Sequence, residues 1–437
     1  MLEGVIFRKT DLREMGDSMT TAAPKTSMAD LFRNRVVRTI LMSALFLQIG
    51  IWVRNYSILL YVMEQTNEDP VAVSLISVAE FAPIFLFSFI GGTFADRWRP
   101  KRTMVWCDLL SAVSIFVVLL TLMLGSWKVI FFATLVSSIL SQFSQPSGMK
   151  LFKLHVSDEL MQMGMSVYQT LFALFMILGP VIGTFVYQHF GINVSIGIMG
   201  VAFILSAAVL VLLPPDRREE TSKEKSTIWQ EMKDGIRYVL RSRSLTSLGG
   251  CFAAAGLAIG LTQPLAVFLV TERLGLPKEQ FQWLMAANGI AMIVGGGLVL
   301  TLAKKAAPQN LLVLGMSVSA LGFLVMGLST NLWLTLAAEF LCGLVMPCIQ
   351  IGINTMILRN TEADYVGRVS GTLTPLFMGA MVITMSSAGA LKKAFSLVAI
   401  YEIAVVLFIV GIVVMLPLLK RSSDKTGGNN EPGEMAS

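Results

Sequence analysis

Twelve stretches of about 20 or more predominantly apolar residues run through the chain, near 36–63, 71–95, 103–125, 127–147, 164–187, 192–213, 244–270, 281–303, 310–329, 331–357, 369–390 and 394–419. A helix rises about 1.5 Å per residue, so each stretch is long enough to cross roughly 30 Å of hydrocarbon. Backbone N–H and C=O groups in lipid must be satisfied within the segment, which makes helices the reading for all twelve. Charged residues are only 14% of the 437 and hydrophobic ones 54%, against about 25% charged in soluble domains. No soluble core could hide that much apolar surface. The expected fold is an all-α polytopic membrane protein.

Twelve crossings return the chain to the side on which it started, and lysine and arginine say which side that is. Twenty-eight fall on the face of the termini and only Lys128, Arg273, Lys278, Lys392 and Lys393 on the other, with Arg54 left inside the first stretch. Both termini are therefore expected in the cytoplasm of a cell whose inner membrane holds the protein. The net charge of +6 is a topology signal spread over short loops, which argues against nucleic acid as a partner. The four cysteines lie in apolar runs with neither metal spacing nor a disulfide framework. There is no His-Glu-x-x-His, no Gly-x-Ser-x-Gly and no phosphate-binding Gly-Lys-Ser/Thr loop. We assign no catalytic residue, metal or cofactor, and any energy the protein uses must come from an ion gradient or from a solute's own gradient.

The only long connection on the terminal face divides the chain. Residues 1–35 read as a cytoplasmic arm, 36–213 as a six-helix bundle and 214–243 as a linker. Residues 244–420 read as a second six-helix bundle and 421–437 as a disordered tail. Ile228–Arg243 in the linker reads as an amphipathic helix on the membrane surface.

Local motifs then become specific. Gly92-Thr-Phe-Ala-Asp96-Arg97-Trp-Arg99-Pro100-Lys101-Arg102 resembles the signature loop of the major facilitator superfamily. That resemblance implies two bundles with substrate bound between them. It also implies a conformational latch built from Gly92, Asp96, Arg97, Lys101 and Arg102, in which Asp96 pairs with the other half. The alternative for the basic residues is plain obedience to the positive-inside rule. Gly179-Pro180-Val-Ile-Gly183 is similar to the glycine–proline element of the superfamily's antiporters; ordinary small-residue packing is the competing reading. Gln48-Ile-Gly50-Ile-Trp52, Pro83 and the helix EMKDGIRYV look most like the branch of macrolide-efflux proteins and enterobactin-type exporters among drug:proton antiporters.

An ionisable side chain at bilayer depth costs roughly 2.5–3.5 kcal/mol even on the lenient insertion scale, so each is a functional candidate. Arg54 and Glu80 lie about equally deep on neighbouring antiparallel stretches, and they are candidates to pair, with Asn55 and Gln48 adding hydrogen bonds around the pair. Glu80 is then either a proton carrier, charged when paired and neutral otherwise, or half of a permanent structural pair. Glu339 is the deep candidate of the second half, for a proton or for a cationic substrate. Asp108 and Glu402 are expected to snorkel or to bond nearby backbone. Trp52, Phe81, Phe172 and Met176, with Gln48 and Asn55, are the candidates for lining the cavity. These features predict a monomeric, proton-coupled exporter of small molecules such as drugs, antibiotics or siderophores. A solute importer or facilitator, or a lipid-handling protein, is the alternative.

Overall fold

The computed structural model describes residues 28–124, 127–156, 158–214, 228–302, 306–362 and 365–427. The distal part of the expected N-terminal arm, residues 428–437 of the tail and Asp364 lie outside them. So do the side chains of Gly92, Asp96 and Arg97, although their backbone completes a helix.

Span 1, Arg35–Gln65, starts where Asn34 accepts at Oδ1 from the backbone N–H groups of Val36 and Val37, at 2.9 and 3.4 Å, satisfying donors that a helix start otherwise orphans. Span 2 is Pro70–Arg97, span 3 Pro100–Met123 and span 4 Val129–His155. Pro70, Pro100 and Pro308 each open a helix, where the missing N–H costs nothing. Spans 5 and 6 form one run, Asp158–Val211, broken at Gly191, whose φ of 73° and ψ of −177° are non-helical. Only glycine adopts that conformation readily. Span 7 is Arg243–Thr262, continued by irregular turns to Arg273. The remaining five are Phe281–Leu302, Pro308–Leu328, Leu332–Asn360, Val366–Ala394 and Leu397–Gly427. Eleven helical segments among the described residues are long and apolar enough to cross a membrane. The longest of them is two passes joined at Gly191, so the chain crosses twelve times.

Packing groups the passes into two bundles. Span 1 and span 3 pack on spans 5 and 6, and span 2 on span 4. Span 7 packs on spans 11 and 12, and span 10 on spans 8 and 9. The bundles meet where span 2 lies along span 11 and span 5 along span 8. Glycine permits the closest approaches: a Cβ on Gly260 would sit 2.1 Å from the Met381 carbonyl oxygen, and one on Gly389 2.3 Å from that of Pro70. The linker helix, Ile228–Arg241, is docked as well. Gly235 abuts Arg368, Tyr238 and Tyr365 stack with centroids 4.6 Å apart, and the N–H of Glu362 donates to the Tyr238 hydroxyl at 3.2 Å.

Two faces of the molecule differ. On the linker face, one core cluster (Leu31, Val37, Met104, Leu151, Leu210) belongs to the first bundle and the helix that precedes it. Another (Val239, Leu248, Ile357, Val369, Leu418) belongs to the second bundle and the linker helix docked on it. Toward the distal face a single cluster joins Tyr56, Met63 and Val73 of the first bundle to Leu265, Phe268 and Phe281 of the second. The bundles are sealed together distally.

Candidate transport site between the bundles

The deepest charges of the first bundle form a chain of hydrogen bonds. Arg54 is buried and donates through Nε and Nη2 to Asn55 Oδ1, at 2.9 and 2.7 Å. Asn55 turns its amide outward and donates from Nδ2 to Glu80 Oε1 at 2.8 Å. Arg54 and Glu80 are thus joined through Asn55 rather than by direct contact. The two are level, but the Asn55 amide stands between them and no ion pair joins them among the described residues. An amide serves both ends because its oxygen accepts from the guanidinium while its nitrogen donates to the carboxylate. Gln48 does not join: it is buried and its Nε2 makes no hydrogen bond among the described residues. Six residues before Arg54, it points about 240° around the helix from it, at 100° per residue.

The second bundle repeats half of this arrangement. Asn288 on span 8 donates from Nδ2 to Glu339 Oε1 on span 10 at 2.9 Å, and no cation pairs with Glu339 among the described residues. Gly343, one turn along from Glu339, makes the contact possible, since a Cβ there would lie 2.5 Å from the Asn288 carbonyl oxygen. Tyr56 sits between the two sites. It is buried, within electrostatic reach of both Glu80 and Glu339, and stacked between Trp52 and Phe281 at centroid distances of 6.0 and 6.1 Å.

The glycine–proline element of span 5 holds this arrangement from behind. A Cβ on Gly179 would lie 2.4 Å from the Trp52 ring, and one on Gly183 2.8 Å from both the Trp52 carbonyl oxygen and the Tyr56 Cβ. Pro180 is inside the helix between them. Met176, one turn earlier, brings its backbone within 3.2 Å of where a Gly289 Cβ would be, on the seam between bundles. Phe172 is exposed and tilted against Tyr168 on its own helix. Phe81 is half-buried next to Glu80.

Of the latch residues, Lys101 donates from Nζ to the Val211 and Leu213 carbonyl oxygens, the first at 2.8 Å. It caps the end of span 6 with positive charge, which favours the helix C-terminus. Arg102 is exposed. Asp108 does not snorkel. It is buried and accepts from Ser206 Oγ at 2.5 Å, and Ser206 is 2.7 Å from Ser43 Oγ, so a polar triad ties spans 1, 3 and 6 together. Glu402 is exposed. Tyr56, Asn288 and Gly343 were not among the candidates. Two deep asparagines, one beside Arg54 and one facing Glu339's span, were the available signal.

The distal face carries an ionic collar. Glu64 accepts from the Tyr187 hydroxyl at 2.8 Å and lies 3.5 Å from Lys278. Asp69 lies 3.0 Å from Lys393, and Lys392 contacts Glu272 while resting 4.1 Å over the Phe268 ring. Two of these ion pairs, Glu64–Lys278 and Asp69–Lys393, join the bundles. Burial pushes the Asp69 carboxyl up, but hydrogen bonds from Lys393 and the Val71 N–H outweigh it and hold the group below the usual aspartate range.

The sequence profile of the Major Facilitator Superfamily matches residues 40–374 and 248–435. YkuC of Bacillus subtilis (strain 168), an uncharacterized MFS-type transporter, is 27% identical over 368 residues, 82% of this chain and 85% of its own. The multidrug efflux pump Tap of Mycobacterium tuberculosis is 25% identical over 372 residues, 79% and 85% of the two chains. The nucleoside transporter NupG superposes with a TM-score of 0.73 at 11% identity, over 88% of this chain and 99% of that one. A POT peptide transporter gives 0.69 at 13%, over 93% and 98%. Those structural likenesses speak for the fold alone. Twelve passes in two bundles, a half-buried carboxylate held by an asparagine in each of them and a profile match along nearly the whole chain make this membrane protein a transporter of the major facilitator superfamily.

Proposed function

We propose that the protein is a secondary active exporter of small amphipathic molecules, driven by proton antiport through alternating access. The observation that carries this reading is the pair of carboxylates at the seam, Glu80 and Glu339. Each is held by one asparagine. A carboxylate at that depth that can be neutralised is the element proton coupling needs. Efflux pumps among the similar proteins and the Gly179–Gly183 element support export. The nucleoside transporter among the structural neighbours keeps an importer or facilitator as the second reading. The 28-to-5 distribution of basic residues supports a cytoplasmic linker face. The distal seal then faces outward, and Asp96 remains the proposed latch of the inner side.

Three experiments test this. Substrate accumulation in cells with and without the protein separates export, which lowers it, from import, which raises it. In proteoliposomes under an imposed pH gradient, Glu80→Gln abolishes driven transport while binding persists; undiminished driven transport removes Glu80 as the obligatory carrier and leaves Glu339. An impermeant thiol reagent applied outside modifies Asn67→Cys but not Ser222→Cys, and the reverse result overturns the topology.

A further inference from the structure

The distal seal has two layers. The ionic collar is at the surface, and its partners are partly exposed, Glu64 at 59% and Lys393 at 55%. Beneath it lies the apolar cluster that draws on both bundles. Tyr56 is the member of that cluster nearest the site. It follows Asn55, the bridging residue of the first site, directly in the chain. Its ring crosses the seam to stack on Phe281 of span 8 at 6.1 Å. Gly183 presses it from span 5, with no room for a methyl group between helix and ring. Trp52 backs it at 6.0 Å and is itself wedged by Gly179.

We propose that Tyr56 is the inner plug of the outer gate: its ring, clamped between Gly183 and Phe281, separates the Glu80 and Glu339 sites from the solvent on the distal face. The gate opens when span 8 carries Phe281 away, and it closes by restacking the same two rings. The glycine–proline element contributes by fixing where the ring stands. This assignment is independent of the direction of transport and of which carboxylate carries a proton.

The test uses Met285→Cys as reporter. Met285 is half-buried against the same cluster and lies one turn past Phe281, on the site side of the stack. Intact cells are treated with an impermeant thiol reagent, and Asn67→Cys serves as the positive control for an outer thiol. The four native cysteines are buried and give the background. With Tyr56 present the reporter is protected. Tyr56→Leu raises its labelling rate about tenfold or more, the factor expected when the closed population loses its main clamp. Tyr56→Phe keeps the ring and leaves the rate unchanged. Met63→Ala, in the cluster but outside the stack, raises it less than Tyr56→Leu. If Tyr56→Leu does not accumulate, Tyr56→Met replaces it with the same expectation. Protection that survives loss of the ring overturns the proposal, as does Tyr56→Phe labelling as fast as Tyr56→Leu. A labelled Asn67→Cys alongside either result shows that the topology is sound and the gate assignment wrong.

Discussion

The two bundles hold the same half-buried carboxylate–asparagine pair, but only the first adds a cation. In the first, Arg54, Asn55 and Glu80 form a chain in which guanidinium and carboxylate balance through an amide. In the second, Glu339 has Asn288 and no cation among the described residues. The chemical options differ accordingly. Neutralising Glu339 leaves nothing charged behind, whereas any break in the first chain strands an arginine that cannot give up its proton. The first site is suited to being held together. The second is suited to changing charge or to meeting a cation.

The largest expected effect breaks the chain in its middle. Asn55→Leu removes the acceptor of the buried Arg54 and the donor of Glu80, at a cost on the order of 3–5 kcal/mol, the range for stranding a buried charge. Asn288→Leu removes one hydrogen bond from a carboxylate that can take up a proton, about 1–3 kcal/mol. Apparent melting temperatures in detergent should therefore fall further for Asn55→Leu than for Asn288→Leu. The reverse order would show that the cation does not distinguish the two sites.

A middle-sized effect tests how the sites are seated. Gly183→Ala drives a methyl group into Tyr56 and the Trp52 carbonyl, and Gly343→Ala into the Asn288 carbonyl. Each should cost about 1–3 kcal/mol by overpacking and impair transport even though no polar group is touched. Gly197→Ala meets no atom within 4 Å and should stay within about 0.5 kcal/mol of wild type. Equal melting temperatures for all three would mean that the spans move apart freely, and the close seating would then carry no function.

What could be read from the sequence divides along physical lines. Apolar run length reports the membrane, so the passes and the break near Gly191 were legible. Helix ends were not. Span 4 was read to residue 147, but its helix continues to His155, because hydropathy falls at the interface while hydrogen bonding does not. Depth was legible too, since it follows from counting residues, and it correctly put Arg54 level with Glu80. What stands between them was not, because side-chain direction decides it. Asn55 reaches Glu80 and Gln48 does not although both are amides on one face of one helix, because seven residues set Gln48 about 10 Å further along the axis. Asp108 shows the same gap: its partner Ser206 is 98 residues away, and only tertiary packing brings them together. Tyr56 had no local signal at all. Its role arises from Phe281 on the far side of the seam and Gly183 behind it.

The smallest expected effect concerns the collar. Asp69 and Lys393 are 33% and 55% exposed, so water and salt screen the pair and Asp69→Asn should cost less than about 1 kcal/mol. Its pH dependence has a definite sign. A carboxyl held below its ordinary value, as Asp69 is, contributes stability that is complete above the unfolded value of roughly 3.9. That contribution is lost only as pH falls through the lowered folded value. Between pH 5 and 8 the pair therefore contributes a constant amount, and mild acid does not unlock this pair. The difference in melting temperature between wild type and Asp69→Asn should be the same at pH 5.5 and 7.5, and should shrink in high salt at both. Outer labelling of the Met285→Cys reporter should rise far less with Asp69→Asn than with Tyr56→Leu, because the aromatic stack still closes the seam beneath. A difference that vanished at pH 5.5 would show that Asp69 titrates in the ordinary range and that the collar responds to external acid.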